Sequence, residues 1–127
     1  DELPADGVFT VASLARWDGW DLPMCLGICG KVVDVSSSEN FDPEYGYGKL
    51  WAGKDATFAM AMTSLKDEDA GTFQWAPEEL AAEEKESLRS WHNHFTGKYP
   101  VVGTLKEYEH WDFSPALAPP EAAEAEE

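Results

Sequence analysis

The sequence predicts a small α+β domain, and three observations carry that prediction. Met24 to Cys29 and Val32 to Val35 are short apolar runs on either side of Gly30-Lys31, the pattern of a two-strand hairpin. Apolar residues recur at helical spacing at Val11, Leu14 and Ala15, at Phe58, Met62 and Leu65, and along Ala81, Leu88, Trp91 and Phe95. The chain has 127 residues, 43% hydrophobic and 13% aromatic, which is enough for one domain with a core and excludes a disordered chain. Residues 1–8 read as a polar lead-in, 9–108 as the domain and 109–127 as an acidic, Pro/Ala-rich tail.

Thr10 is placed to cap the first short helix. Trp17 to Pro23 then breaks the pattern with Asp-Gly and Leu-Pro, which is turn chemistry. Gly30-Lys31 is the expected two-residue connection of the hairpin, and Val33 and Val35 alternate with Val32 and Asp34 as in a half-buried strand. Asn40 to Thr57, NFDPEYGYGKLWAGKDAT, is interrupted repeatedly by Gly and Pro and reads as a compact loop that carries Tyr45, Tyr47 and Trp51. It ends where Asp55 can cap a helix from Asp55 to Leu65. Pro77 suits the first position of the longest helix, whose early turns hold Glu78, Glu79, Glu83 and Glu84 near the positive end of the helix dipole. Leu80 lies beside its apolar stripe, and Gly97 is the expected C-cap. Lys98 to Leu105 is a short extended segment. Beyond Trp111 the Pro, Ala and Glu residues cannot bury a core, and the tail is disordered or laid along a partner.

Charge excludes several function classes. Nine Lys and Arg against 25 Asp and Glu leave a net charge of -16, which argues against nucleic acid or anionic lipid as a partner. No apolar run is long enough to span a membrane. The start at Asp1 rather than Met leads to the expectation that a targeting segment or anchor has been removed. Cys25 and Cys29 are four residues apart on a strand, roughly 13 Å at about 3.3 Å per residue, beyond disulfide reach, so they read as buried free thiols. His92 and His94 are two apart on a helix, about 200° around it, and read as solvent-facing residues unable to share a metal. Trp17, Trp20, Trp51, Trp75, Trp91 and Trp111 read mostly as core or pocket wall. Asp42 and Glu44 pair as carboxylates, but no nucleophile or oxyanion donor accompanies them, so no enzyme is expected.

Leu88-x-x-Trp91-x-x-x-Phe95-x-x-Lys98-Tyr99-x-x-Val102-Gly103-x-Leu105 resembles the closing signature of the membrane-associated progesterone receptor family, a cytochrome b5-like haem/steroid-binding domain. Three further blocks agree in order: Phe9-Thr10-x-x-x-Leu14 with Asp18-Gly19, Gly30-Lys31-Val32-x-Asp34-Val35, and Ala52-Gly53-Lys54-Asp55-Ala56-Thr57. The resemblance runs from Phe9 to Leu105. It implies a short mixed sheet as floor, with helices around an open apolar cleft. It also implies haem or another flat apolar ligand such as a steroid, with iron held by one tyrosine oxygen instead of two histidines. A second tyrosine and a Lys-Tyr pair would then line the haem edge. A phenolate is a hard anionic donor suited to ferric iron. Lys98 and Tyr99 match the Lys-Tyr pair directly. The loop departs from the family pattern: aligned without gaps, the first tyrosine position holds Asp42 and the ligand position holds Gly48, with Tyr47 one residue early. The candidate site is therefore Tyr47 as iron ligand, with Tyr45 as the other tyrosine open to that role, and Asp42, Trp51, Lys98 and Tyr99 around it. The alternative is a haem-free accessory subunit that uses the same fold to bind proteins in a membrane-associated organellar complex, with the acidic tail as a docking segment.

Overall fold

The computed structural model describes residues 3–4, 6–38, 41–42, 44 and 46–117. The elements run β1 (Val8–Phe9), α1 (Val11–Leu14), β2 (Cys25–Ile28), β3 (Lys31–Asp34), α2 (Gly46–Trp51), α3 (Thr57–Met62), α4 (Ala82–Lys98), β4 (Val101–Leu105) and α5 (Ser114–Leu117). The sheet order is β1-β4-β3-β2, with β1 parallel to β4 and the other pairs antiparallel, so the sheet is mixed as expected. The chain is α+β.

Local chemistry accounts for most of these elements. Thr10 caps α1: its hydroxyl accepts from the Ser13 amide at 3.0 Å, and the Ser13 hydroxyl accepts from the Thr10 amide at 2.9 Å. The β2–β3 hairpin turns one residue earlier than the sequence reading placed it. Ile28 pairs with Lys31, and the two loop residues are Cys29 and Gly30, with φ of 51° and 81°. Two successive left-handed residues make the tight turn whose twist matches the strands. Val32, Val33 and Val35 are all fully buried, so β3 is covered on both faces and does not alternate. Cys25 and Cys29 are free and buried as expected. Burial pushes the Cys25 thiol up to about 12 and raises Cys29 as well, which leaves both inert.

Several expected boundaries move. Asn40 to Thr57 is not a continuous loop, because α2 forms within it. The next helix covers Thr57–Met62 instead of Asp55–Leu65, and it stops where Thr63 turns left-handed at φ 52°. Pro77 begins a separate 3-10 turn, Pro77–Glu79, before α4. The Ala81 amide that opens α4 is satisfied by Glu84 Oε1 at 2.8 Å. Gly97 lies inside α4, and Tyr99 ends it. Of the expected stripe, Leu88 and Phe95 are buried, Trp91 is half-buried and Ala81 is exposed. His92 faces inward enough to accept from Lys31 Nζ at 3.0 Å; burial lowers its pKa, with the Lys31 ammonium acting in the same direction. The segment expected to be tail packs back on the domain as far as residue 117. Phe113 and Ala116 are buried, Trp111 is half-buried, and α5 lies on α4. Residues 118–127 lie outside the described residues.

β2 is one of the two edge strands of the sheet, and residues 53–57 cover it. The Gly53 amide donates to the Cys25 carbonyl, Gly27 donates to Lys54, and Ala56 donates to Gly27, at 2.8–2.9 Å. Asp55, 3% exposed, sits at the centre of this seam. Its carboxylate accepts from the Thr57 amide at 3.2 Å and hydroxyl at 2.9 Å and hydrogen-bonds with Tyr108. Thr57 Oγ1 in turn accepts from the Cys29 amide at 2.9 Å. A Cβ on Gly27 would come within 2.8 Å of Asp55 Oδ1, so the bare backbone there is what lets the carboxylate in.

Burial raises the Asp55 pKa to about 7 despite these donors. The unfolded chain loses this proton near pH 4 while the fold retains it to about pH 7, so Asp55 makes stability fall as pH rises between these values. The limiting slope is about 1.4 kcal/mol per pH unit. Urea unfolding from pH 4 to 8 should show this decline in the wild type and a flatter curve in Asp55→Asn. Parallel curves would mean that Asp55 ionises in the fold as it does in water.

Candidate functional site

One side of the domain carries a continuous wall of aromatic rings supplied by three segments. Phe41 precedes α2, Tyr47 and Trp51 sit one helical turn apart on α2, and Trp91, Phe95 and Tyr99 come from the end of α4 and its cap. Tyr47 stacks on Trp51 with centroids 4.9 Å apart and planes 15° from parallel. Trp91 meets both rings edge-on at 5.7 Å and stacks on Phe95 at 5.6 Å. Phe41 bridges Tyr47 at 6.3 Å to Phe95 at 5.7 Å and Tyr99 at 6.2 Å. These spacings are those of favourable offset and T-shaped pairs.

The placement of α2 depends on Gly48. A Cβ there would collide with the backbone of Asp42, so residues 41–42 and α2 touch main chain to main chain. This explains the departure of the loop from the family pattern in physical terms. No tyrosine fits at position 48 in this packing, and Tyr47 is the ring that α2 presents. A second aromatic group, Phe73, Trp75, Tyr108, Trp111 and Phe113, packs on itself and holds the C-terminal segment. It takes no part in the wall.

Two hollows lined by described residues adjoin Trp91. The larger, about 630 Å³, is an open depression along α4, lined among the described residues by Glu83, Glu86, Ser87, Ser90, Trp91 and His94. The smaller, about 130 Å³, is more enclosed and mostly apolar, and it lies between α2, α3 and α4 against Tyr47, Trp51, Ala59, Met60, Leu65 and Trp91, with Thr63 and Ser64. It is smaller than the roughly 300–1,000 Å³ of a site that encloses a whole drug-sized ligand, so it accommodates one end of such a molecule.

Of the expected site residues, Tyr47, Trp51 and Tyr99 share the wall. Tyr47 is 38% exposed, whereas Trp51 and Tyr99 are buried. Lys98 is exposed, with its ammonium 5.6 Å from the centroid of the Tyr99 ring. Asp42 serves the backbone: its Oδ1 accepts from the Glu44 amide at 2.8 Å in a turn that leads to α2. Tyr45 lies outside the described residues. Phe41 belongs to the aromatic run read from the sequence but was not among its site residues, and sequence reasoning missed the small face of α3, where Ala59 and Met60 are buried while the expected Leu65 is 62% exposed. The alternation of Ala and Met in Thr57–Met62 was the available signal, since small residues allow α3 and α4 to approach closely. Among the described residues no group of three or more His, Cys, Asp or Glu side chains is arranged to hold a metal ion.

Comparison with known proteins gives a consistent result. No family model matches the chain. It is 35% identical over 99 residues to probable steroid-binding protein 3 of Arabidopsis thaliana, covering 76% of this chain and 96% of that protein. It is 34% identical over 99 residues to membrane-associated progesterone receptor component 2 of Homo sapiens, covering 76% of this chain but 44% of that protein. The chain thus spans less than half of that longer relative. A solved structure of an Arabidopsis thaliana protein, described as having a cytochrome b5-like fold, superposes with a TM-score of 0.66 at 30% identity, covering 83% of this chain and 96% of that one.

The close approach at Gly48 makes a stability prediction. Gly48→Ala should destabilise the domain by about 1–3 kcal/mol, since the backbone of Asp42 has to move. Gly97→Ala, where a Cβ meets nothing, should stabilise α4 by up to about 1 kcal/mol. Urea midpoints of the two variants decide the matter, and equal shifts would remove the assigned role of Gly48.

Proposed function

The chain belongs to the membrane-associated progesterone receptor family of cytochrome b5-like domains, and from that premise we propose that it is a non-catalytic module that binds a flat apolar ligand of steroid-like shape. The aromatic wall built on Tyr47, Trp51 and Trp91, with a cavity at its foot, is the observation that carries this reading. A rigid ring system laid on such a wall loses little conformational entropy and gains about 25 cal/mol per Å² of apolar surface removed from water. The names of the relatives, steroid-binding protein and progesterone receptor component, support the same ligand class.

Haem is the other flat ligand consistent with the fold family. The donor chemistry fits it through Tyr47, a hard oxygen donor at the cavity with part of its surface open to solvent. Bound haem would supply a ferric centre; Tyr47 would provide the phenol oxygen to hold it, with Tyr99 and Lys98 further along the wall. Membrane association would come through partners or through other parts of a longer protein, because no helix among the described residues is long and apolar enough to cross a bilayer.

A haem-free, protein-binding role is the second reading, and one observation favours it. Trp20 is 66% exposed on a turn fixed by Asp18, whose Oδ1 accepts from the Trp20 and Asp21 amides at 2.9 and 3.0 Å. An exposed indole on a rigid turn is a suitable anchor for a protein partner.

Titration of the purified chain with a neutral steroid, followed by tryptophan fluorescence, and with hemin, followed by Soret absorption, separates these readings. Trp91→Ala should weaken steroid binding by about tenfold through loss of one aromatic face. Tyr47→Phe should abolish the ligand-to-iron band of a hemin complex while leaving the urea midpoint within about 0.5 kcal/mol of wild type. A band that survives moves iron ligation to another side chain. If neither compound binds, the ligand reading fails and the partner surface at Trp20 becomes the target.

A further inference from the structure

Leu65 is out of place for a leucine. The helical spacing of Phe58, Met62 and Leu65 predicts a buried position, yet α3 stops at Met62 and Leu65 is 62% exposed. It nevertheless lines the 130 Å³ cavity between α2, α3 and α4. Of the six large hydrophobic side chains left exposed among the described residues, Leu65 and Tyr47 both line this cavity. A side chain that lines a cavity and also meets solvent stands at its opening. Trp51 contributes only its ring there, because its Nε1 is buried without a hydrogen-bond partner, out of reach of a ligand.

The backbone that puts Leu65 at the opening is strained and firmly held. Thr63, which ends α3, is left-handed at φ 52° and ψ 47°, a conformation usual for Gly or Asn and costly for a β-branched side chain. Hydrogen bonds on both sides keep it there. The Ser64 amide donates to the Ala59 carbonyl at 2.9 Å, and the Thr63 hydroxyl pairs with Ser87 Oγ at 3.3 Å. Ser64 Oγ donates to Asp69 and accepts from the Lys66 amide at 3.1 Å. Strain maintained by its surroundings in this way concentrates at ligand clamps and active sites. Here its result is an apolar side chain held in water beside an apolar cavity.

We propose that Leu65 is a ligand-clamping residue at the mouth of the cavity, packing with Tyr47 on the part of a flat ring system that the cavity is too small to enclose. The inference rests on the ligand-binding reading above and adds the side chain that grips the projecting end. A site that encloses a whole drug-sized ligand takes roughly 300–1,000 Å³, so a fused polycycle with one end inserted projects past the rim. Binding then removes from water the Leu65 surface that folding leaves exposed. The fixed turn means that little backbone ordering opposes this gain.

The test uses 5α-androstan-3-one as the probe, with affinities read from tryptophan fluorescence. Leu65→Ser should weaken binding about fivefold to tenfold with the urea midpoint unchanged, since the side chain is exposed before binding. Leu65→Met, which keeps the apolar surface, should bind like the wild type. Leu3→Ser, at another exposed leucine that does not line the cavity, should have no effect. In the wild type, the Leu65 methyl signals should show nuclear Overhauser contacts to the bound steroid, a readout independent of whether any variant folds. Steroid binding without those contacts, or equal affinity of Leu65→Ser and the wild type, would overturn the clamp and leave the binding reading intact. No binding of the steroid to the wild type would overturn the binding reading, and the role of Leu65 with it.

Discussion

The buried carboxylate of Asp55 is the interaction on which the rest of the structure depends. It lies where residues 53–57 close the outer edge of β2, and it connects strand, helix and C-terminal segment at once. Thr57 and Tyr108 converge on it, and through them the Cys29 amide at the hairpin turn and the Trp75 indole. A buried charge-bearing group tolerates burial only when its lone pairs are answered, and here two donors come from the neighbouring Thr57 and one from Tyr108 in the C-terminal segment. An uncovered β2 would present a row of unpaired amides and carbonyls; Gly53, Lys54 and Ala56, on either side of Asp55, cover them.

The site follows from that seam. Helix α2 ends just before it and α3 starts just after it, so fixing residues 53–57 against the sheet fixes the angle between the two helices. Trp51 on one side and Ala59 and Met60 on the other then face the same cavity, and α4 brings Trp91 across to close it. The order of construction runs from edge coverage to helix placement to ring packing. A ligand would meet a wall whose shape is set by hydrogen bonds on its far side.

Much of this was legible in the residues. The Thr10 cap, the β2–β3 hairpin, the helical spacing of Leu88 and Phe95 and the inert cysteines are local matters of period, capping and reach, and they appear where the sequence placed them, with the hairpin turn displaced by one residue. The helix inside Asn40–Thr57 was not legible, because Gly46 and Gly48 lower its intrinsic propensity. Packing overrides that preference: Gly48 is needed for the approach of Asp42, and burial of Trp51 compensates the weak helix formers. The ordered stretch through Leu117 was missed for a similar reason, since composition averaged over an acidic tail hides Trp111, Phe113 and Ala116, which are enough to dock it.

The sequence by itself determined the fold class, the mixture of strands and helices, the family resemblance and the strongly acidic charge, because these depend on composition and on spacings of a few residues. The tertiary structure decided that Tyr47 reaches the wall, which face of α3 lines the cavity and which buried polar atom among the described residues is left without a partner. Each of these depends on contacts between segments far apart in the chain, and no local period encodes them. Trp51 shows the division most clearly: its identity is written in the sequence, but the isolation of its N–H exists only once Tyr47 and Trp91 have closed around it.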